Sequence, residues 1–186
     1  MSSPEAASAL ERQPALRATI AMAGAAAALA AGARAGLHFE AVLAAGFVAV
    51  LAVISWVDVE ERRVPNVLVV PATAIALLAQ GLLHADRLVE SILAGLGASL
   101  FFFVALLISR NSVGMGDVKL ALLIGVVLGK DVVGALFLAG LVAAAVGLVL
   151  IARHGLGARK TAMPFAPFLA LGAVAGLLIG DPAIYA

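Results

Sequence analysis

The chain has 186 residues, 64% of them apolar and 12% charged, with a net charge of +1, against roughly 45–50% apolar and 25% charged in an ordinary soluble domain. That composition belongs in a lipid bilayer, and basic residues spread along a nearly neutral chain make no surface for nucleic acid. The absence of cysteine excludes disulfides, thiolate metal sites and a cysteine nucleophile. With only the scattered His38, His84 and His154 besides, neither a metal nor another cofactor is expected, and any chemistry falls to carboxylates, hydroxyls or lysine.

Residues 1–16 read as a polar cytoplasmic tail or short surface helix. Measured against the roughly 20 apolar residues that a helix needs to cross the hydrocarbon core, the remainder offers spans at 17–35, 39–57, 66–83, 88–109, 117–129, 132–152 and 164–180. The expected fold is all-α: a polytopic transmembrane bundle of about seven helices, six forming a core and one added at the N-terminus. The first span is weakly hydrophobic and alanine-rich. It reads as a retained helix in preference to a signal peptide cleaved near Ala33-Arg34-Ala35, because Glu5 and Glu11 are foreign to a short basic leader. The division is then tail 1–16, extra helix 17–38 and membrane domain 39–186. The span at 117–129, bounded by Asp117 and Lys130, is short enough to lie partly within protein. Small residues in Gly95-Leu96-Gly97-Ala98-Ser99 and at Gly172, Gly176 and Gly180 suit close helix packing in lipid.

Lysine and arginine set the orientation. A cytoplasmic N-terminus places Arg12, Arg17, Arg62, Arg63, Arg110, Lys119, Arg153, Arg159 and Lys160 inside and only Arg34, Arg87 and Lys130 outside. The cytoplasmic connections are then 58–66, 110–117 and 153–163.

Ionisable groups at a membrane boundary are costly unless they pair, reach water or work. Four acids fall on the cytoplasmic side of the bundle: Asp58, Glu60, Glu61 and Asp117. Each motif residue has a plain reading. Asp58 is spaced to pair with Arg62 at i, i+4, Asp117 to cap a helix after a glycine turn, Lys119 to snorkel, and Pro65-Asn66 to start a helix. Together they read differently, because two aspartates from different helices emerge at one membrane face. Two carboxylates sharing a site resist ionising together and hold one proton between them. One can then take a proton from an attacking water while the other donates to the scissile carbonyl. Gly114 and Gly116, lacking side chains, would let a substrate backbone approach Asp117.

The segment Asp58-Val-Glu-Glu-Arg-Arg-Val-Pro65-Asn66, followed by Gly114-Met-Gly116-Asp117-Val-Lys119, resembles the two motifs of the type IV prepilin peptidases, membrane aspartyl proteases of the GxGD kind. Lys160-Thr-Ala-Met-Pro164-Phe165-Ala-Pro167 looks like that family's final-helix segment, and the likeness covers about residues 40–180. It implies Asp58 and Asp117 as the catalytic pair, with Gly114, Gly116, Lys119, Pro65 and Asn66 around them. The implied substrate is a prepilin or pseudopilin, a basic leader ending in glycine before an apolar helix, cut at the cytoplasmic edge. The small size is similar to the short TadV- or CpaA-like branch of Flp pilus systems, although residues 1–38 add a helix. Larger members carry a cysteine-bearing domain and methylate the new N-terminus, so peptidase without methyltransferase is expected here.

Two alternatives stand beside this reading. Another GxGD protease, such as a preflagellin peptidase, is disfavoured by Val64-Pro65-Asn66 and Lys119. A small proton-coupled transporter is disfavoured because its acids would sit near the midplane of matched halves, whereas these lie at one edge.

Overall fold

A computed structural model describes residues 39–108, 114–154 and 164–180. The expected tail 1–16 and extra helix 17–38, with Arg12, Arg17, Arg34, Arg110, Arg159 and Lys160, lie outside the described residues. These form α1 (Phe39–Glu61), α2 (Asn66–Leu83), α3 (Leu88–Ile108), α4 (Met115–Leu128), α5 (Val132–His154) and α6 (Ala166–Ile179), with a 3-10 turn at Gly129–Asp131. No strand occurs among the described residues. The fold is an all-helical bundle. Val42–Glu61, Asn66–Leu83 and Leu88–Ile108 are each long and apolar enough to cross a membrane, as is the run Met115–Arg153.

That last run is two helices, not one. Gly129 adopts φ 59° and ψ −132°, a conformation that only glycine enters without a side-chain clash, and the chain reverses there. The packing of α6 confirms the reversal. A Cβ on Gly172 would strike the Ala135 carbonyl and lie 2.9 Å from Ala139 Cβ, while one on Gly180 would meet Asp131. Hence α6 runs antiparallel to α5. The sequence spacing of Gly172, Gly176 and Gly180 is the seam of this contact, Gly176 facing Leu128 and Ala135.

The bundle is organised around α4. Fourteen residues rise only about 21 Å, less than the roughly 30 Å of hydrocarbon, and the shortness is tolerated because protein surrounds the helix. From Asp117 onward nearly every residue is buried, including Leu120, Leu123, Ile124 and Val127. Its tightest neighbour is α3, where a Cβ on Gly125 would lie 2.6 Å from Gly95 Cα and 2.7 Å from the Ala94 carbonyl oxygen. Backbones in such contact gain dispersion that bulkier residues would forbid.

All six helices alternate in direction. The C-terminal ends of α1 and α3 meet the N-terminal end of α6, through Asp58 to Ala166 and the ring contact of Phe102 with Phe165. The N-terminal ends of α2 and α4 join them through Asn66 and Lys119. At the opposite end, the Lys130 amide donates to Glu90 Oε1 at 3.1 Å. One end of the bundle therefore gathers both sequence motifs.

Candidate active site

Along α1 the buried positions are Ala44, Phe47, Val48, Leu51, Ile54, Ser55 and Asp58. That is the three-four spacing of a core-facing helix stripe, and Asp58 is its last member. The helix continues to Glu61, four residues beyond the expected end, because the chain keeps its helical geometry past the hydrocarbon edge. Asp58 is thus carried inward on the final turn, 6% exposed, while Glu60 and Glu61 are exposed. Its Oδ2 accepts the Ala166 amide across the bundle at 3.0 Å. Ala166 is the first residue of α6 and Pro167 the second. The first amides of a helix have no internal acceptor and carry the positive end of its dipole, so this helix start is a fitting counterpart for a carboxylate.

Asp117 stands at the third position of α4, behind Gly114 at the N-cap. The expected capping role is altered accordingly, since helix geometry begins at Met115, two residues before the acid. The Asp117 amide donates to the Gly114 carbonyl at 3.1 Å, and the Gly114 amide donates back to Asp117 Oδ2 at 3.1 Å. This reciprocal pair fixes the side chain against its own helix start. Asp117 is 8% exposed.

The two aspartates line one cavity of ≈ 390 Å³, together with Gly114, Gly116, Asn66 and Lys119 and with Arg62 and Arg63 at its rim. Pro65, expected to start a helix, is the N-cap of α2, its carbonyl accepting the Leu68 and Val69 amides at 3.1 and 3.2 Å. Arg62 takes a left-handed φ of 53° as the chain leaves α1. Among the described residues no three His, Asp or Glu side chains gather into a metal-binding cluster.

Two contacts join the motifs. Lys119 Nζ donates to Asn66 Oδ1 at 2.9 Å, so the lysine is tied to the start of α2, more than a snorkelling cation would be. A Cβ on Gly116 would lie 2.6 Å from Val64 Cβ, so the space beside this glycine belongs to the α1–α2 connection. Of the two glycines, only Gly114 has open space beside it, since a Cβ there would have nothing nearer than Asp117 Oδ2 at 3.6 Å. Sequence reasoning missed the Ala166 amide and Val64. Pro164 and Pro167 flag a helix start near residue 166, which is the one signal available for the first.

Comparison with known proteins adds three findings. The model of the type IV leader peptidase family matches residues 45–152, a stretch containing both aspartates. A prepilin leader peptidase/N-methyltransferase of Bacillus subtilis (strain 168) is 33% identical over 159 residues, 83% of this chain and 62% of the relative. A protein of the same description from Pseudomonas aeruginosa is 30% identical over 137 residues, 70% of this chain and 47% of the relative. The chain therefore spans between about half and three fifths of the length of these relatives. No solved structure matches it.

Proposed function

The chain belongs to the type IV leader peptidase family, and from that premise we propose that it is a membrane aspartyl endopeptidase that removes the leader from prepilins or pseudopilins. The observation that carries the proposal is the convergence of Asp58 and Asp117, from separate helices, on one cavity at one end of the bundle. In the reaction, the ionised carboxylate takes a proton from water as the water oxygen attacks the scissile carbonyl. The protonated partner donates to the carbonyl oxygen and, on collapse, a proton passes to the leaving amine. Water and one peptide bond become a carboxylate and an amine. Helix-start amides on Oδ2 of each acid hold both carboxylates in orientation, and preorganised geometry of this kind lowers the barrier without cost at the moment of reaction.

Gly114 leaves room for the substrate backbone, while Gly116, Val64, Pro65, Asn66 and Lys119 hold the two helix ends in register. No cofactor takes part. The activity is proposed as cleavage without methyl transfer, because the chain contains none of the cysteines that the resemblance attaches to methylating members. Residues 39–186 are proposed as the peptidase unit. The site faces the cytoplasm across a bacterial inner membrane, since Arg62, Arg63, Lys119 and Arg153 lie at its end of the bundle and only Arg87 and Lys130 among described cations at the other.

Coexpression with a prepilin, followed by a gel shift for leader removal, tests the proposal. Cleavage by the wild-type chain and none by Asp58→Asn or Asp117→Asn is the expected result. Unaltered processing by Asp117→Asn ends it.

A further inference from the structure

Four glycines of the bundle meet nothing of their own chain: a Cβ on Gly46, Gly97, Gly134 or Gly140 would have no heavy atom within 4 Å. Gly95, Gly125 and Gly172, by contrast, are pressed by backbone. Two of the four, Gly97 on α3 and Gly140 on α5, line opposite walls of one apolar groove of ≈ 850 Å³. These helices run in parallel and barely touch, α3 packing chiefly on α4 and α5 chiefly on α6. Each presents a ridge at four-residue steps, Leu93, Gly97 and Phe101 on α3 and Val133, Phe137 and Leu141 on α5, and all six are exposed toward the lipid side. Four-residue ridges are what a packing helix interlocks with, and small residues between them let its backbone approach.

The groove begins at Gly129 and Lys130, at the end remote from the aspartates, and finishes at Phe165. Phe165 immediately precedes Ala166, whose amide holds the Asp58 carboxylate. An occupant that fills the groove is thus led to the acid. The other long groove, between α1 and α2, is polar at its remote end, where Gln80 and His84 lie, and its α1 lining stops at Val50, eight residues short of Asp58.

The geometry points to the α3–α5 groove as the docking site of the substrate's own apolar helix, seated antiparallel to both walls with its N-terminal end at Phe165 and the scissile bond beyond it at Asp58 and Asp117. This rests on the peptidase reading and adds to it the place where the substrate's membrane segment binds. From Leu93 to Ala105 the α3 wall measures about 18 Å at 1.5 Å per residue, so about twelve substrate residues pack there. That contact supplies affinity remote from the bond cleaved.

Because the chain has no cysteine, single substitutions give a clean test. In an Asp117→Asn background that traps substrate, Gly97→Cys and Leu141→Cys are each combined with a cysteine scan through the prepilin helix and oxidised in membranes. Cross-links at helical spacing from both positions, and none from Gly46→Cys in the α1–α2 groove, are expected. Without the trap, Gly97→Leu and Gly140→Leu raise KM for full-length prepilin about tenfold more than they lower kcat, the mark of lost binding, whereas Gly46→Leu leaves processing unchanged. Open space at each glycine and the better helix propensity of leucine keep these variants folded, which membrane extraction and thermal unfolding check. Cross-linking through Gly46→Cys instead, or normal KM for both groove variants, overturns the docking site while leaving the peptidase intact. A Gly97→Cys chain with Asp117 intact that cross-links through the groove but never cleaves has the opposite meaning: the helix site stands and the peptidase reading falls.

Discussion

The two ends of the bundle both bury polar side chains and, apart from Ser55, whose hydroxyl lacks a partner one turn before Asp58, they treat them in opposite ways. At one end Asp58 and Asp117 each receive a helix-start amide, and Lys119 reaches Asn66. At the other, Gln80 and Ser91 are buried at 2% and 0% exposure with no hydrogen-bond partner for their side-chain atoms, and His84 stands 4.0 Å from Glu40. Burial of a polar group in a membrane protein is therefore a poor marker of a site by itself. What distinguishes the aspartate end is that groups from α1, α2 and α4 are brought to one cavity, with Asp58 held there by an amide of α6.

The largest effect that sharpens this contrast is expected from the acids. Asp58→Asn or Asp117→Asn removes half of the proposed proton relay, and general acid–base catalysis is worth about 10²–10⁴ in rate. Leader cleavage measured in membranes should fall by at least that factor, with the protein still inserted. Substitution of Glu60 or Glu61 by Gln should be far milder, since both are exposed and neither lines the cavity. A comparable loss from Glu60→Gln would erase the distinction between buried and exposed acids on α1.

A smaller effect follows from the glycine that joins the motifs. Gly116→Ala places a Cβ 2.6 Å from that of Val64, and overpacking of this kind costs about 1–3 kcal/mol. Thermal unfolding in detergent should show the loss, and Val64→Ala in the same chain should recover part of it by removing Cγ2, otherwise 2.9 Å from the new atom. Next comes the bond from Lys119 to Asn66. Either Lys119→Ala or Asn66→Ala should lower kcat about tenfold, and the double variant should be no worse than the poorer single one, the non-additivity expected of directly contacting residues. Additive losses would mean that the two side chains serve separate purposes.

How far the sequence reached these features depends on the kind of signal each leaves. Long apolar runs are forced by lipid, so the spans beginning at Asn66, Leu88 and Val132 were legible to the residue, and α4 was recognisable as short. Ends were less legible: α1 carries Asp58 inside its last turn and α4 begins two residues early, because lipid sets where apolar residues stop and not where helical hydrogen bonding stops. The aspartates could be singled out from their placement and motif. Their partners could not. Ala166 acts through a backbone amide that any residue supplies, and Val64 over Gly116 or Lys119 to Asn66 depends on which helices are neighbours, information that only tertiary packing contains.

The smallest expected effect probes the remote end, where the comparison predicts no loss of function. Gln80 keeps an amide in the bundle with neither Oε1 nor Nε2 satisfied, and an unmatched buried polar group costs free energy that an apolar side chain of similar shape avoids. Gln80→Met, close in volume and flexible enough to fill the space, should therefore raise stability by about 1 kcal/mol, read as a higher melting temperature in detergent, while leader cleavage stays at the wild-type rate. Thr73, one of the buried polar residues on the same helix, supplies the control. Its hydroxyl donates to the Val69 carbonyl at 2.8 Å, so Thr73→Val removes a satisfied group and should bring no such gain. If Gln80→Met instead slowed cleavage as Lys119→Ala does, the remote end would be coupled to the aspartates. The division of the bundle into one working end and one merely buried end would then have to be given up.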